Sequence, residues 1–394
     1  MDYSKYLNPT ASNIKPSGIR KFFDIVSERK DVISLGVGEP DFDTPYIARD
    51  AAIRILKKGY TQYTGNAGLP ELREKICRYY LERYKVSFSP DECLITVGAS
   101  EAIDIALRAL TALGDEILVP EPSYVSYCPC IELAGGKPIS IPCYAKDNFS
   151  LTANALKEKI TPKTKALILP YPNNPTGAIM EKEQLEEIAK VIIENDLMVI
   201  SDEIYSELTY SETGHTSISS IQGLKERTIV INGFSKSFAM TGWRLGYLLA
   251  PAEIISVVKK IHQYGIICAP TVSQYAGIAI LNQSFEDDFS SVNEMKAEYD
   301  MRRRYVVSRL NAMGLDCFEP KGAFYAFPSV ASLNMTGDQF ATELLNSKSV
   351  AVVPGSAFIS GESQFIRISY AYSMRSLEKA LDLIEEFVKE TKSK

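Results

Sequence analysis

Histidine is scarce in this sequence: His215 and His262 are the only two among 394 residues. Neither stands near cysteines or carboxylates at metal-ligand spacing, so we expect no metal site. The same scarcity argues against a Ser-His-Asp hydrolase. A Gly-x-Gly-x-x-Gly run after a first strand is also missing, which argues against a nucleotide-binding dehydrogenase.

Paired cysteines and long apolar runs are missing as well. The seven cysteines are odd in number and irregularly spaced, with no Cys-x-x-Cys pair, which predicts reduced thiols rather than a disulfide framework. No apolar run is long enough to cross a bilayer, and the N-terminal residues show no basic stretch followed by an apolar one. We therefore expect a cytoplasmic protein with no membrane partner.

The charge balance offers no basic surface to a polyanion. The formal net charge is -6, and Lys and Arg are interspersed with Asp and Glu, so nucleic acid is not an expected partner. The hydrophobic share of 45% and the charged share of 23% are those of an ordinary globular protein. The length suits two closely associated domains.

From about residue 60 to residue 249, short apolar runs alternate with longer amphipathic stretches. This alternation indicates a parallel sheet with crossover helices. The predicted strands are residues 94–97, 116–119, 138–141, 166–169, 198–201, 228–231 and 245–249. The predicted helices between them include residues 70–84, 100–113 and 181–195.

The pattern changes after Pro251, where the chain becomes mostly helical, with a long amphipathic stretch at residues 287–313. A smaller α+β unit follows, and the strand-like residues 32–37 are expected to join it, so that it is built from both chain ends. Its predicted elements are strands at 322–328, 350–353 and 365–370 and a helix at 374–390. The predicted division is an N-terminal arm and part of the small domain (1–45), a large domain (46–286) and a C-terminal small domain (287–394).

Four polar motifs each come directly after a predicted strand. The carboxyl ends of parallel strands share one edge of a sheet, so we expect the motifs to converge in a ligand crevice there. The first is Gly98-Ala99-Ser100, where free backbone donors at a helix start favour a phosphate; Ser100 as a plain helix cap is the alternative. The second is the Pro, Asn and Gly cluster at residues 172–177, whose composition alone is that of a surface loop.

The other two motifs carry charge. Asp202 ends a very apolar strand, and a buried carboxylate is costly unless it meets a cation or a donor. The partner is either a structural cation or a protonated ring nitrogen of a cofactor. Lys236 follows another buried strand, and Arg244, eight residues later, suits a bidentate grip on phosphate. A phosphate clamp, a carboxylate and an amine are what pyridoxal phosphate requires.

The sequence resembles the class I and II aminotransferases of fold type I over nearly its whole length, and within them the prokaryotic aspartate and aromatic amino-acid branch. The matching blocks are residues 35–45 (LGVGEPDFDTP), 63–74 (YTGNAGLPELRE), 174–177 (NPTG), 201–205 (SDEIY), 235–246 (SKSFAMTGWRLG) and 365–371 (FIRISYA). The resemblance implies an α/β fold with a large domain around a mixed, mostly parallel seven-stranded sheet flanked by helices, plus the smaller α+β domain. It also implies pyridoxal 5′-phosphate as cofactor.

The resemblance further implies roles for single residues. Lys236 would form the Schiff base and shuttle the proton, and Asp202 would hold the pyridinium proton. Asn174 and Tyr205 would hydrogen-bond the phenolic oxygen of the cofactor, and Tyr124 would stack on its ring. The phosphate would be bound by Ala99, Ser100, Ser235 and Arg244. In many aspartate aminotransferases a serine stands where this chain has Gly233, so that phosphate contact would have to come from elsewhere, for example from Ser235.

The resemblance implies a substrate pocket and a partner as well. Arg367 would bind the α-carboxylate of the substrate, with Gly38 and Asn174 completing the pocket. Tyr63 would reach the phosphate of a neighbouring subunit, which implies a homodimer with shared active sites. The expected reaction is ping-pong transfer of an amino group from an L-amino acid, aspartate or aromatic, to a 2-oxo acid such as 2-oxoglutarate.

Two other functions are compatible with the same motifs. A pyridoxal-phosphate β-lyase acting on carbon-sulfur bonds would use the same carbanion chemistry. A non-catalytic effector module of a transcription regulator would carry a separate DNA-binding unit, for which we expect no room because the family pattern begins within the first few dozen residues.

Overall fold

The computed structural model describes residues 1–16 and 31–393. Its largest sheet has seven strands in the order β2-β8-β7-β6-β5-β3-β4. All neighbouring pairs are parallel except those that involve β8, which is antiparallel to β7 and to β2. The predicted mixed, mostly parallel sheet is therefore confirmed. Its strands are β2 Cys93–Thr96, β3 Glu116–Glu121, β4 Lys137–Pro142, β5 Thr164–Leu169, β6 Met198–Asp202, β7 Thr228–Gly233 and β8 Gly246–Leu249.

Apolar residues cover both faces of this sheet. In β7, Val230 packs into one core cluster, whereas its neighbours Ile229 and Ile231 pack into another on the opposite face. In β5, Leu167 and Ile168 divide in the same way between two clusters. Because both faces are buried, the strands are continuous apolar runs in the sequence rather than alternating ones.

Helices alternate with the strands along the chain. They are α1 Pro9–Asn13, α2 Tyr46–Lys57, α3 Pro70–Tyr84, α4 Gly98–Leu110, α5 Tyr127–Leu133, α6 Ala153–Lys157, α7 Lys182–Glu194, α8 Phe234–Ser237, α9 Ala252–Ile266, α10 Thr271–Glu286, α11 Ser290–Ala312, α12 Gly337–Lys348 and α13 Met374–Lys392. None of the helices in the described part of the chain is both long and apolar enough to span a bilayer.

A smaller α+β part is built from both ends of the chain, as predicted. Its strands are β1 Ile33–Ser34, β9 Tyr325–Ala326, β10 Val350–Ala351, β11 Val353–Pro354 and β12 Ile366–Ser369. β1 pairs in parallel with β10, and β11, β12 and β9 form an antiparallel sheet in that order. The predicted strand at 350–353 is thus two short strands, and the one at 322–328 is reduced to two residues. The division into domains at residues 45 and 286 stays a prediction.

The helix after β2 begins earlier than predicted, at Gly98 instead of residue 100. Gly98 has φ +72°, a conformation open to glycine, which lets the chain turn at once from strand to helix. The Glu101 side chain fixes this turn, because its Oε2 accepts a hydrogen bond of 2.5 Å from the backbone N–H of Val97. The turn therefore has a defined shape without any ligand.

Gly246 of β8 lies directly against the same turn. A Cβ on Gly246 would stand 2.6 Å from the backbone nitrogen of Ala99 and closer still to the carbonyl carbon of Gly98. Backbone atoms cannot move aside as a flexible side chain would. The close approach of β8 thus holds the Gly98 turn in place.

We predict that Gly246→Ala lowers the free energy of unfolding by about 1–3 kcal/mol, the usual cost of forcing an extra methyl group into packed atoms. Urea unfolding of the two proteins measures the difference. Gly265→Ala is the matched control, because no atom lies within 4 Å of its Cβ position and alanine is the better residue in helix α9. Equal stability of wild type and Gly246→Ala would show that this contact is not tight.

Candidate active site

A cavity of about 360 Å³ opens at the carboxyl ends of the parallel strands. Its volume is within the range of small-molecule sites. Every predicted site residue except Tyr63 lines it: Gly38, Ala99, Ser100, Tyr124, Asn174, Asp202, Tyr205, Ser235, Lys236, Arg244 and Arg367. The structure therefore brings together the four motifs that the sequence scatters over nearly 150 positions, as expected from the strand order.

One end of the cavity is built from the Gly98 turn and Arg244. A Cβ on Gly98 would lie 2.6 Å from Nη2 of Arg244, so only glycine leaves room for the guanidinium at this place. Arg244 has φ +51° and donates from Nη1 to the backbone oxygen of Thr241 at 3.0 Å. The guanidinium, the start of helix α4 and the hydroxyl of Ser100 together favour an anion at this end.

Asp202 lies at the end of β6 and is only 6% exposed. It accepts hydrogen bonds from the Tyr127 hydroxyl at 2.7 Å and from the backbone N–H of Ile204 at 3.2 Å. Burial raises the pKa of Asp202 to about 6, although these two hydrogen bonds act in the opposite direction. The carboxylate forms no ion pair with any described residue, so it is a buried negative charge that a cationic ligand would stabilise.

Lys236 lies in the short helix α8, directly after β7. Its Nζ donates a hydrogen bond of 2.6 Å to the backbone oxygen of Gly38. Burial lowers the pKa of Lys236 to about 8, and the positive charges of Arg244 and Arg367 lower it further, whereas Glu39 and Asp202 oppose the shift. More of this amine than of an ordinary lysine is therefore unprotonated near neutral pH, and the unprotonated form acts as a nucleophile or a base.

Arg367 of β12 forms the other end of the cavity and is buried. Its Nη1 donates to Oδ1 of Asn174 at 2.8 Å, and its Nη2 donates to the backbone oxygen of Gly36 at 2.5 Å. Its Nε is buried and has no hydrogen-bond partner among the described residues. A buried guanidinium with an unused donor and no carboxylate partner is suited to an anionic ligand.

Tyr205 and Tyr124 contribute aromatic surface between these ends. The Tyr205 hydroxyl lies 2.9 Å from the hydroxyl of Tyr325, and burial raises the pKa of Tyr205 well above its usual value. Tyr124 meets Tyr127 edge to face, with ring centroids 5.7 Å apart. Tyr205 therefore keeps its hydroxyl hydrogen at neutral pH.

Tyr63 does not line the cavity of its own chain, and it is 78% exposed. The resemblance assigned it to the site of a neighbouring subunit, so its place outside this cavity agrees with that expectation without testing it. Within the described residues no cluster of histidine, cysteine, aspartate and glutamate could hold a metal ion.

Two lining residues escaped the sequence reasoning. Tyr127 follows Tyr124 by one helical turn at the start of α5, a spacing that could have placed both on one face. Tyr325 lies in a strand far along the chain, and no local signal links it to Tyr205. Only the pairing of Tyr325 with Ser369, two residues beyond Arg367, brings it to the cavity.

The residues present fit pyridoxal 5′-phosphate. The anion-binding end formed by Arg244 and the Gly98 turn suits the phosphate, and the unpaired Asp202 carboxylate suits a protonated ring nitrogen. Lys236 supplies an amine in the same cavity. The buried donor of Arg367 would remain available for the carboxylate of a substrate.

Comparison with known proteins gives a family assignment. The family model described as aminotransferase class I and II matches residues 30–384. The chain is 49% identical to a protein of Bacillus subtilis named putative aminotransferase YugH, over 98% of this chain and all of that protein. It is 47% identical to an aspartate aminotransferase of Pyrococcus abyssi, over 96% of this chain and 97% of that protein.

A solved structure agrees with this match. The crystal structure of an aromatic aminotransferase from Pyrococcus horikoshii superposes with a TM-score of 0.89 at 45% identity, covering 94% of this chain and 99% of the other. The similarity thus extends through both the large sheet and the smaller α+β part. With its fold and its sequence both matching, this protein is an enzyme of the class I and II aminotransferase family.

Proposed function

We propose that the protein transfers an amino group from an L-amino acid, aspartate or aromatic, to a 2-oxo acid such as 2-oxoglutarate in a ping-pong reaction with pyridoxal 5′-phosphate bound to Lys236. The observation that carries this proposal is a buried lysine whose pKa is lowered to about 8 and which shares one cavity with the buried, unpaired Asp202. When bound, the cofactor supplies an electron sink that stabilises a carbanion at the substrate Cα.

The predicted site residues that line the cavity would each have a defined role. Asp202 would keep the ring nitrogen protonated, because a cation next to this buried carboxylate relieves the cost of its burial. Asn174 and Tyr205 would donate to the phenolic oxygen of the cofactor, and Tyr124 would cover its ring. The phosphate would be bound by Ala99, Ser100, Ser235 and Arg244.

Lys236 would first bind the cofactor covalently and then, once released, take the proton from Cα of the substrate and return it to the cofactor. The lowered pKa supports both tasks, since an unprotonated amine is needed for each. Arg367 would hold the substrate α-carboxylate with Asn174 and Gly38 beside it, which fixes Cα near the amine.

The choice of donor is supported by the names of similar proteins and by the charges in the cavity. One relative is named an aspartate aminotransferase and one similar structure an aromatic aminotransferase. Among the described residues, three cations line the cavity, and the proposal uses all of them: Lys236, Arg244 and Arg367. The second carboxylate of aspartate would therefore need a cation from outside this set, whereas an aromatic ring would need none.

We predict that phenylalanine, tyrosine and aspartate each abolish the visible absorbance band of the cofactor-loaded protein, and that 2-oxoglutarate restores it. Half-reactions followed by absorbance give the rate and the apparent affinity for each donor. We expect aromatic donors to bind more tightly than aspartate because they need no fourth cation. Release of pyruvate and ammonia from cystathionine without an acceptor acid would instead indicate the lyase, and a band that no amino acid changes would indicate an effector module.

Lys236→Ala is the companion variant for this screen. It should fold, because its only described hydrogen bond is to Gly38, but it should lack the band and lose at least about 1,000-fold in rate. Lys163→Ala is the control, since Lys163 is an exposed lysine just before β5, at the opposite edge of the sheet from the cavity. A normal band in Lys236→Ala would overturn the assignment of the lysine.

The cofactor-free protein should be stabilised by Asp202→Asn at pH 8. The pKa of this carboxyl group is raised from 3.8 to about 6 in the folded state, so stability is lost as the pH rises from about 4 to 6, and the full cost of the ionised carboxylate is present above pH 6. We expect a gain of about 1–3 kcal/mol at pH 8 that shrinks towards pH 4–5, where wild-type Asp202 is itself mostly protonated in the fold.

Urea unfolding at pH 5 and pH 8 measures this difference. With cofactor bound, wild type should be more stable than Asp202→Asn, because the variant loses the partner of the ring nitrogen. A variant that is less stable than wild type at both pH values without cofactor would contradict an unpaired Asp202 charge.

We further propose a homodimer with shared active sites. The candidate apolar patch comprises exposed side chains of two segments that a hydrogen bond of 2.9 Å joins, from the Asn66 side chain to the backbone oxygen of Ile267. Its residues are Tyr46, Ile53, Leu56, Tyr60 and Tyr63 from the first segment and Tyr264, Ile266 and Ile267 from the second. Hydrogen bonds join the patch to the rim of the cavity, from Nε2 of Gln274 to the Thr64 hydroxyl at 3.1 Å and from the Ser273 hydroxyl to the backbone oxygen of Trp243 at 2.8 Å, next to Arg244. A patch of this kind commonly marks a protein interface, and a second copy would bring its Tyr63 to this rim.

Mixing two inactive variants tests the shared site. Lys236→Ala and Tyr63→Ala should each be impaired in pure form. After unfolding and refolding together, about half of the dimers should be hybrids, so about a quarter of all sites should contain both residues and activity should return to about that level. No recovery above the pure variants would show that Tyr63 does not serve a neighbouring site.

We also propose that the protein acts in the cytoplasm. All seven cysteines lie in the described residues and are free thiols. Unpaired thiols are typical of proteins in a reducing compartment, which supports action in the cytoplasm.

A further inference from the structure

We propose that Tyr325 is a positioning residue that connects the middle of the cavity to its Arg367 end: its hydroxyl orients the Tyr205 hydroxyl towards the cofactor, and its ring supports the guanidinium of Arg367. This inference rests on the proposed function, because it assigns Tyr205 to the phenolic oxygen of the cofactor and Arg367 to the substrate carboxylate. It adds a residue that neither the sequence motifs nor the family blocks contain.

The two hydroxyls form an isolated pair. Tyr205 follows β6 of the large sheet and Tyr325 lies on β9 of the small sheet, yet their hydroxyl oxygens are 2.9 Å apart. Tyr205 is 6% exposed and Tyr325 is 1% exposed, so both side chains are largely shielded from solvent. The contact therefore joins elements of the two sheets inside the cavity wall.

The direction of this hydrogen bond decides what Tyr205 can do. A hydroxyl has one hydrogen, and either oxygen can supply it to the bond between the two tyrosines. If Tyr205 gave its hydrogen to Tyr325, it could not donate to a ligand. With Tyr325 as the donor, Tyr205 is free to donate into the cavity, and a donor that itself accepts a hydrogen bond is strengthened by it.

The surroundings of Tyr325 favour that direction. Burial raises the pKa of Tyr325, so the hydroxyl keeps its hydrogen at neutral pH. Its oxygen lies against the position where a Cβ on Gly38 would stand, and no other hydrogen-bond partner of this hydroxyl is present among the described residues. Tyr205 is thus the acceptor available to the Tyr325 hydrogen once Tyr205 donates to an anionic oxygen.

The ring of Tyr325 has a second contact. The guanidinium carbon of Arg367 lies 4.5 Å from its ring centroid and 4.9 Å from that of Phe358. Contact with two aromatic rings restricts the orientation of the guanidinium and offsets part of the free energy that its burial costs. One side chain thus contacts both the group proposed to bind the substrate carboxylate and the group proposed to bind the phenolic oxygen.

The two contacts can be separated by substitution. Tyr325→Phe removes the hydroxyl and keeps the ring, whereas Tyr325→Leu removes both. Tyr370→Phe is the matched control, because Tyr370 is another fully buried tyrosine with a hydrogen-bonded hydroxyl, which donates to the backbone oxygen of Ala323 and does not line the cavity.

The first readout is a pH titration of the absorbance of the cofactor-loaded protein, which reports the pKa of the bond between Lys236 and the cofactor. Because a weaker Tyr205 donor stabilises the phenolic anion less, Tyr325→Phe should raise this pKa by about 0.5–1 unit, and Tyr370→Phe should not change it. An unchanged titration in Tyr325→Phe, or the same shift in both variants, would overturn the role of the hydroxyl.

The second readout is binding of 3-phenylpropionate, a carboxylate without an amino group that cannot react. Its dissociation constant should stay within about twofold in Tyr325→Phe and rise by about three- to tenfold in Tyr325→Leu, as expected when a cation loses one aromatic face. Equal binding by Tyr325→Leu and wild type would overturn the role of the ring.

These outcomes are distinct from failure of the proposed function. If wild-type protein formed no absorbing bond between Lys236 and pyridoxal phosphate, the proposed function and this inference would fail together. If the wild-type band titrated normally and Tyr325→Phe titrated identically, only the inference would fail.

Discussion

The arrangement of the cavity depends on the buried and unpaired charge of Asp202. Its neighbour Glu203 is also buried but accepts hydrogen bonds from three hydroxyls, those of Ser201, Ser217 and Tyr80. Asp202 has only the Tyr127 hydroxyl and one backbone N–H. Glu203 is thus satisfied by the protein, whereas Asp202 forms no ion pair with any described residue and would be stabilised by a cationic ligand.

Two cations of the cavity, Lys236 and Arg367, likewise form no ion pair with any described residue. Lys236 is paired with a backbone oxygen, and Arg367 with an amide and a backbone oxygen, although both are buried. Each loses solvation without gaining an opposite charge, which is why the pKa of each is lowered. A ligand with one cationic and two anionic groups would compensate all of these charges at once, and this is the charge pattern of the proposed cofactor with a substrate.

The scaffold makes such a costly site stable by separating it from the core. The strands of the large sheet are buried on both faces and pack by alternate residues into different clusters, while the polar side chains that this sheet contributes to the cavity stand at the strand ends and in the segments after them. Gly98 and Gly246 allow helix α4 and β8 to approach closely enough to shape the anion-binding turn. The small sheet then closes the cavity from the other side with Arg367 and Tyr325.

The sequence by itself determined the class of sheet and most of the lining of the cavity, because strand ends in a parallel sheet share one edge and each motif lies within a few residues of such an end. It also indicated Lys236, Asp202 and Arg244 by the cost of placing charges after buried strands. It did not give the start of helix α4 at Gly98, the short strands near residues 325 and 350, or the contribution of Tyr127. Only the tertiary structure placed Tyr325 against Tyr205, since that contact joins residues 120 positions apart through the pairing of β9 with β12, and no local pattern encodes it.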